Sequence, residues 1–274
     1  MAPITYLFVP ATHTARIAKA FAAGAHAVIV DLEDAVDASL KDAAREQLSH
    51  WLATAPTGQA LWVRINAVNT PWFADDVALL QQHRGALAGV MLSKTQSFAD
   101  LDAVTDDVPV IALIESARGL LALADICRHP RLHRLAFGSA DLSRDLGCDD
   151  AADVLAPARA QLVWHSAAAD LPAPIDGVTF ALDAPETAQA DAARASRHGF
   201  GAKLCVHPSQ LAPVLRGFGP TAAQCAWAEK IMAVAATGSG AQRLGGDMVD
   251  RPVIARASAL LQRRDAIEGI GPVA

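Results

Sequence analysis

The run Val110-Ile111-Ala112-Leu113-Ile114-Glu115 is apolar for five residues and then ends in a carboxylate. Leu135-Ala136-Phe137-Gly138-Ser139-Ala140-Asp141 also ends in a carboxylate, and Leu61-Trp62-Val63-Arg64-Ile65-Asn66 carries an arginine near its end. Such runs predict buried β-strands, and a charge buried without a partner is strongly destabilising. In a barrel of parallel strands, the carboxyl ends of the strands form the floor of the active site. We therefore expect these three charges at such a site.

Apolar runs of this kind alternate with amphipathic stretches along most of the chain. We predict strands at Tyr6–Ala11, Ala27–Leu32, Leu61–Asn66, Gly89–Lys94, Val110–Glu115, Arg134–Gly138, Gly177–Leu182 and Ala202–His207. We predict helices at Ala15–Ala23, Leu40–Thr54, Trp72–His83, Phe98–Thr105, Ala117–Arg128, Ala158–Ala169, Pro185–Ser196 and Ser209–Leu215. This α/β order predicts a (β/α)8 TIM barrel. A doubly wound parallel sheet is the alternative, because periodicity does not show closure.

The pattern changes after the eighth strand–helix unit. We predict a (β/α)8 barrel catalytic domain over residues 1–218 and a C-terminal helical extension over residues 219–274. Within the extension, Thr221–Ala236 reads as a helix, Thr237–Gly240 as a flexible break, and the chain from Arg251 to about Ile267 as a final helix. Because closing a barrel does not require this extension, we expect it to pack elsewhere, on this subunit or on a neighbouring one.

Composition excludes several classes of function. The net charge is −6, and no block of Lys and Arg offers a nucleic-acid surface. No apolar stretch approaches the ~20 residues of a membrane span, and the first residues lack the pattern of a signal peptide. The four cysteines are scattered without metal-ligand spacing, as in a protein with reduced thiols. We therefore expect a cytoplasmic protein with no nucleic-acid or membrane partner.

An acidic cluster, Asp31-Leu32-Glu33-Asp34, ends the second predicted strand. One interpretation is a cluster that caps a helix and solvates a loop. The other is that Asp31 or Glu33 points inward and pairs with Arg64 of the adjacent third strand, which would fix the guanidinium group. Arg64 itself is suited to a carboxylate or a developing oxyanion, with a purely structural ion pair as the alternative.

Glu115 and Asp141 end strands that are neighbours in a barrel. Two like charges close together must share a proton or a cation, and carboxylates without a His or Cys partner suit Mg²⁺, or Mn²⁺, better than zinc. Asp141 has a second interpretation as a helix cap. Lys94 ends the fourth strand among carboxylates, so we expect it to stay charged and support the site rather than form a Schiff base. For His207 we expect a core or capping role.

The segments that carry these residues resemble the HpcH/HpaI aldolase and citrate lyase superfamily, on its CitE-like (citrate lyase beta subunit-like) branch. The similar segments follow the family order and are Leu7-Phe8-Val9-Pro10, Asp31-Leu32-Glu33-Asp34-Ala35-Val36, Lys41-Asp42-Ala43-Ala44-Arg45, Arg64-Ile65-Asn66, Ile114-Glu115-Ser116-Ala117, Phe137-Gly138-Ser139-Ala140-Asp141-Leu142, His207-Pro208-Ser209-Gln210 and Met248-Val249-Asp250-Arg251-Pro252. Each segment is weak evidence by itself, whereas the ordered set is specific.

The resemblance implies a (β/α)8 barrel that assembles as a homotrimer or hexamer. It implies Mg²⁺ on Glu115 and Asp141, Arg64 in contact with the substrate, and Asp250 as an acid/base residue supplied by a neighbouring chain. The implied reaction is cleavage or formation of a carbon–carbon bond between a 2-oxo acid and acetyl-CoA or a related thioester. The implied substrates are short 3-hydroxyacyl-CoA thioesters such as citryl-, malyl- or citramalyl-CoA.

Two departures from the family pattern concern cationic positions. Ile4-Thr5 stands where relatives often carry Arg-Ser, and Asp247 stands where they carry a lysine. Both changes weaken the expected contacts with the phosphates of CoA. These changes leave open a non-catalytic subunit that binds a 2-oxo acid. A second alternative is a class II pyruvate aldolase acting on free 4-hydroxy-2-oxo acids, since such enzymes use similar carboxylates at the barrel end.

Overall fold

In the computed structural model, which describes residues 2–56, 58–104, 108–236, 242–244 and 247–268, eight parallel strands close into a barrel. The strands are β1 (Thr5–Pro10), β2 (Ala27–Asp31), β3 (Leu61–Ile65), β4 (Gly89–Leu92), β5 (Val110–Ile114), β6 (Leu132–Phe137), β7 (Ile175–Asp176) and β8 (Ala202–Cys205). Each strand pairs with the next, and β8 pairs with β1. The predicted barrel is thereby confirmed, and the alternative of a doubly wound sheet is wrong.

Helices surround the barrel and continue beyond it. They are α1 (Ala15–Ala22), α2 (Lys41–Leu52), α3 (Phe73–His83), α4 (Phe98–Asp102), α5 (Ala117–Leu121), α6 (Leu123–Ile126), α7 (Ser139–Leu146), α8 (Ala156–Ala168), α9 (Pro185–Arg197), α10 (Leu211–Phe218), α11 (Ala222–Ala236) and α12 (Arg251–Glu268). An antiparallel pair, β9 (Gln242–Leu244) and β10 (Asp247–Val249), separates α11 from α12. Neither this pair nor α7 was predicted, and the predicted break at Thr237–Gly240 lies outside the described residues.

Alternation along the strands decides which side chains reach the mouth of the barrel. Successive strand residues point to opposite faces, so every second residue lines the interior. In β2 the interior residue Ile29 is followed on the same face by Asp31, and in β5 Leu113 is followed by Glu115. Because Asp31 pairs in register with Arg64 of β3, the arginine lies at the same level. The charges thus form the layer above an apolar barrel interior.

The prediction for the seventh strand is wrong. The sequence predicts Gly177–Leu182, whereas β7 covers only Ile175 and Asp176. Beyond β7, side chains rather than a neighbouring strand satisfy the backbone carbonyls: Lys203 Nζ donates to the carbonyl of Gly177 (2.5 Å), and Gln210 Nε2 donates to that of Thr179 (2.7 Å). The apolar residues after β7 therefore line the mouth of the barrel instead of extending the sheet.

The extension after α10 has a small apolar core of its own. Its buried members come from α11, β10 and α12, and they are Ala228, Ile231, Val249 and Ala257. It also touches the barrel, because Arg263 Nη1 donates to Ser196 Oγ (3.0 Å) and Ile267 packs against the core between the strands and the outer helices. A contact with a neighbouring subunit stays a prediction.

Two further observations bear on the class of protein. Cys127, Cys148, Cys205 and Cys225 are all free thiols, in agreement with the scattered spacing. In the described part of the chain, no helix combines the length and the apolar character that crossing a bilayer requires.

Candidate active site

A cavity of about 400 Å³ opens at the carboxyl ends of the strands. Its polar lining consists mainly of Asp31, Asp34, Arg64, Glu115 and Asp141. Its apolar lining is formed largely by Phe8, Leu113, Phe137, Val178 and Leu204. The structure therefore brings most of the predicted site residues together, with four carboxylates and one guanidinium against an apolar wall.

The guanidinium group of Arg64 is held by two carboxylates of the β2 end. Arg64 Nε donates to Asp31 Oδ1 (2.7 Å), Nη2 donates to Asp31 Oδ2 (2.5 Å), and Nη1 lies 3.2 Å from Glu33 Oε2. The ring of Phe8 lies 4.7 Å from the guanidinium carbon, a distance at which a cation is attracted to an aromatic face. Burial opposes the charge, but Asp31 and Glu33 raise the pKa of Arg64 above its ordinary value. The predicted pairing with Arg64 is thus present, and both candidate carboxylates take part.

The chain after β2 is folded around the carboxylate of Asp31. Asp31 Oδ1 accepts a hydrogen bond from the backbone N–H of Glu33 (2.9 Å), and Oδ2 accepts one from the N–H of Ala35 (3.1 Å). Asp31 is only 1% exposed, yet each of its oxygens has both a backbone and a guanidinium donor. This set of bonds fixes the carboxylate, and the carboxylate in turn fixes the arginine.

Glu115 follows β5 directly and is 5% exposed. Its Oε1 accepts a hydrogen bond from the backbone N–H of Lys94 (2.8 Å). A Cβ atom at Gly138 would lie 2.5 Å from Cβ of Glu115, so only glycine allows the chain after β6 to come this close. Burial, with the nearby charge of Glu33, raises the pKa of Glu115 to about 8. Without a further cation the carboxyl group therefore holds its proton at neutral pH.

The sequence predicted Asp141 at the end of a strand, but this residue lies in the first turn of α7. The strand β6 ends at Phe137, and the chain turns at Gly138 into the helix. Asp141 Oδ2 lies 3.3 Å from Lys94 Nζ, and Oδ1 lies 2.7 Å from Arg144 Nη2. The helix still presents the carboxylate to the cavity, because its first turn stands directly above β6.

Lys94 connects the acidic residues of the site. Its Nζ forms an ion pair with Glu33, lies 3.9 Å from Asp34 Oδ1, and contacts Asp141 as described. Burial opposes its charge, but the hydrogen bond and charge of Glu33, with Glu115 and Asp34, raise the pKa of Lys94 above its ordinary value. A lysine held as an ammonium ion is not a Schiff-base nucleophile, in agreement with the sequence-based expectation.

The donor chemistry of Glu115 and Asp141 fits a hard divalent cation. Both carboxylates line the cavity, and among its described lining residues none is histidine or cysteine, which favours Mg²⁺ or Mn²⁺ over zinc. The described residues contain no group of three or more His, Cys, Asp or Glu arranged around a metal position. Mg²⁺ commonly uses one or two carboxylates and completes its shell with water and substrate oxygens. The raised pKa of Glu115 also indicates a carboxylate that needs a cation to ionise.

Two predicted residues lie apart from the cavity. Asp250 precedes α12, is partly buried, and accepts a hydrogen bond from the N–H of Val253 (3.1 Å), so it caps that helix. It is not among the cavity-lining residues. His207 is exposed and caps a short 3₁₀ turn through the N–H of Ser209 (3.2 Å), the capping role that the sequence suggested.

Fold and site together define a class: (β/α)8 barrels with a cluster of carboxylates and a carboxylate-bound arginine at the mouth. The family model described as HpcH/HpaI aldolase/citrate lyase matches residues 5–208. This chain belongs to that family, as the ordered motifs predicted.

Individual relatives support the CitE-like branch. The chain is 34% identical to a citrate lyase subunit beta-like protein of Deinococcus radiodurans, over 93% of this chain and 95% of the relative. It is 32% identical to a (3S)-malyl-CoA thioesterase of Cereibacter sphaeroides, over 97% and 95%. A crystal structure of CitE from Mycobacterium tuberculosis in complex with magnesium, acetoacetate and coenzyme A is similar with a TM-score of 0.87 and 33% identity, covering 96% of this chain and 98% of that one.

Proposed function

We propose that this chain is a Mg²⁺-dependent carbon–carbon lyase. It cleaves a short 3-hydroxyacyl-CoA into acetyl-CoA, or a related thioester, and a 2-oxo acid. The observation that carries the proposal is the meeting, in one cavity, of two carboxylates suited to the ion and of an arginine fixed by Asp31. A relative named as a (3S)-malyl-CoA thioesterase supports the acyl-CoA substrate class but not the carbon–carbon cleavage itself. A CitE crystal structure that binds magnesium, acetoacetate and coenzyme A supports the metal and the substrate class.

Glu115 and Asp141 would hold the ion. When bound there, Mg²⁺ supplies a Lewis acid and a template for the oxygens of the 2-oxo acid portion. Arg64 has five N–H donors; two of them bond to Asp31, and Nη1 forms an ion pair with Glu33. The remaining donors can bind the thioester oxygen, where negative charge develops as the bond breaks. Because the guanidinium is already fixed, little reorganisation is needed during the reaction.

The reaction places defined demands on these residues. The bond between C2 and C3 of the acyl group breaks, and its electrons pass into the thioester enolate. The proton of the substrate hydroxyl passes to a general base of the site, and the hydroxyl becomes the oxo group. The enolate carbon then takes a proton from a general acid. The side chains of Phe8, Leu113 and Phe137 make part of this cavity apolar, and an apolar surrounding strengthens the electrostatic contacts around the enolate.

We assign the general acid to Asp250 of a neighbouring copy, in a homotrimer or hexamer. Asp250 does not line the cavity of its own chain. Near it, the side chain of Met248 is 62% exposed, and Phe180, which lines the cavity, is 64% exposed. Exposed apolar side chains near Asp250 and at the cavity are typical of a subunit interface. Such an interface would place Asp250 of one chain at the cavity of another.

A direct assay tests the proposal. Purified full-length protein with Mg²⁺ is supplied with malyl-, citramalyl- or citryl-CoA, and release of the 2-oxo acid is measured. We expect cleavage of at least one thioester, and loss of that cleavage in Asp250→Asn, where the amide oxygen can still cap α12. Absence of cleavage with every thioester would overturn the lyase proposal and favour a non-catalytic subunit that binds 2-oxo acids.

The same assay covers the other alternative. Class II pyruvate aldolases normally use a histidine base, and the described residues that line this cavity include none. We therefore expect little or no cleavage of a free 4-hydroxy-2-oxo acid. Faster turnover of that acid than of any thioester would favour the aldolase instead.

A further inference from the structure

A buried lysine, Lys41, lies behind the acidic chain segment that follows β2. Its Nζ donates to the carbonyl oxygens of Leu32 (2.6 Å) and Glu33 (2.7 Å) and to Asn66 Oδ1 (2.9 Å). An ammonium group has three donors, so all three are used, and all three acceptors are neutral. Lys41 is 5% exposed and forms no ion pair among the described residues.

Asn66 links Lys41 to the strand that carries Arg64. Its Nδ2 donates both to the carbonyl of Leu32 (3.0 Å) and to Asp76 Oδ2 (2.7 Å), and its backbone N–H donates to the same Asp76 oxygen (3.0 Å). Asp76 is fully buried, and Arg45 Nη1 donates to its other oxygen (3.0 Å). The end of β3 and the segment after β2 are thus tied to one buried polar network.

This network reaches the guanidinium group from two sides. On one side, Lys41 holds the carbonyls of residues 32 and 33, between which Glu33 leaves the chain toward Arg64. On the other side, Asn66 is anchored two residues after Arg64 on the same strand end. A buried cation with neutral partners is costly by itself. The charges of Asp31 and Glu33 lie close enough to offset part of that cost.

We infer that Lys41, acting with Asn66 and Asp76, is a positioning residue that fixes the carboxylates of Asp31 and Glu33 and, through them, the orientation of Arg64. This role extends the proposed lyase function, but only its kinetic consequence rests on that function. Lys41 does not line the main cavity but a neighbouring one of about 300 Å³, with Glu33, Asp34 and Lys94. Its effect on the main cavity therefore passes through the segment after β2.

The first test needs no substrate. In Lys41→Met, hydrogen exchange is measured for the amides of Glu33, Asp34 and Ala35, which bond to the carboxylates of Asp31 or Glu33. We expect exchange at least tenfold faster in this segment than in the wild type, because the carbonyls are no longer held. We also expect the Nε–H resonance of Arg64, identified by its loss in Arg64→Lys, to shift or broaden.

Arg134→Met is the matched control. Arg134 is also a buried cation bound to backbone carbonyls, those of Ala173 (2.5 Å) and Pro3 (3.0 Å), but at the opposite end of the barrel. The Arg134→Met variant should be less stable overall, but hydrogen exchange at residues 33–35 should not change selectively. If Lys41→Met does not fold, Asp76→Asn loosens Asn66 from the other side and should give the same local signature.

The second test is a double-mutant cycle on the reaction. Lys41→Met should lower kcat 10- to 100-fold with little change in KM, whereas in the Arg64→Lys background it should lower kcat by no more than twofold. A structural role alone would give equal factors in both backgrounds. Unchanged exchange at residues 33–35 together with an unchanged Arg64 resonance would overturn the inference. If the wild type cleaves no thioester, the proposed function fails, and the exchange test still decides the role of Lys41.

Discussion

Lys94 Nζ lies 3.3 Å from Asp141 Oδ2, so an ammonium group neutralises one of the two carboxylates that we assign to the metal. The same residue donates its backbone N–H to the other carboxylate, Glu115. Lys94 is in the left-handed region of backbone conformation (φ 49°), which is rare for a residue with a side chain. The turn after β4 thus lets one residue contact both candidate ligands.

This relationship predicts that Lys94 competes with Mg²⁺. In Lys94→Met, Asp141 loses a competing cation, so we expect Mg²⁺ to bind more tightly, by roughly two- to fivefold, the size of a partly exposed ion pair. Isothermal titration calorimetry at pH 9, where a proton on Glu115 competes less with the ion, measures the change. Weaker binding in this variant would show that Lys94 instead holds the carboxylates in place.

Glu115→Gln should remove Mg²⁺ binding together with carbon–carbon cleavage of the acyl-CoA. The amide has nearly the same shape and can still accept the hydrogen bond from Lys94, but it lacks the negative charge that a hard cation requires. Glu46→Gln, an exposed change on α2, is the control. Full activity of Glu115→Gln at limiting Mg²⁺ would contradict the metal assignment.

The site could be predicted from the sequence only where chain periodicity places it. Arg64, Asp31 and Glu115 end strands on the inward face, so alternation along neighbouring strands brings them together. Asp141 was expected at a strand end because the apolar run continues past Phe137. Instead, the strand ends at Phe137, the chain passes close to Glu115 at Gly138, and a helix follows.

Side-chain contacts between residues distant in sequence could not be predicted from periodicity. Lys41 reaches Asn66 across 25 positions, and nothing in its local pattern distinguishes it from an exposed lysine in the first turn of a helix. Its only signal was its place within Lys41–Arg45, one of the family-like segments. Likewise, an apolar run after Asp176 reads as a strand, because the sequence does not reveal that Lys203 and Gln210 satisfy its carbonyls.

The affinity for Mg²⁺ should depend on pH through Glu115. Its pKa in the folded, metal-free chain is about 8 instead of the ordinary 4.5, so below pH 8 the ion must displace a proton. The apparent Kd should therefore fall about tenfold for each pH unit between 6 and 8 and become constant above. Calorimetry in buffers of different ionisation enthalpy measures the proton released. A Kd that is constant from pH 6 to 8 would exclude Glu115 as the ligand that titrates.

Arg64→Lys should lower kcat by about 100-fold, the usual scale for loss of an oxyanion donor, although the charge is kept. Lysine cannot reproduce the two parallel bonds to Asp31, so its ammonium is not fixed toward the thioester oxygen. Arg16→Lys, an exposed change on α1, is the control. Near-normal turnover in Arg64→Lys would remove this arginine from the mechanism.

Subunit complementation tests whether Asp250 acts across an interface. Asp250→Asn and Glu115→Gln should each be inactive alone, since each lacks one component of every site. In a mixed oligomer, a cavity with intact Glu115 on the Asp250→Asn chain can receive intact Asp250 from the Glu115→Gln chain. We therefore expect co-expression of differently tagged chains, purified through both tags, to restore activity to a measurable fraction of the wild type. If Asp250 acted within its own chain, every cavity of the mixed oligomer would stay defective, and no activity would return.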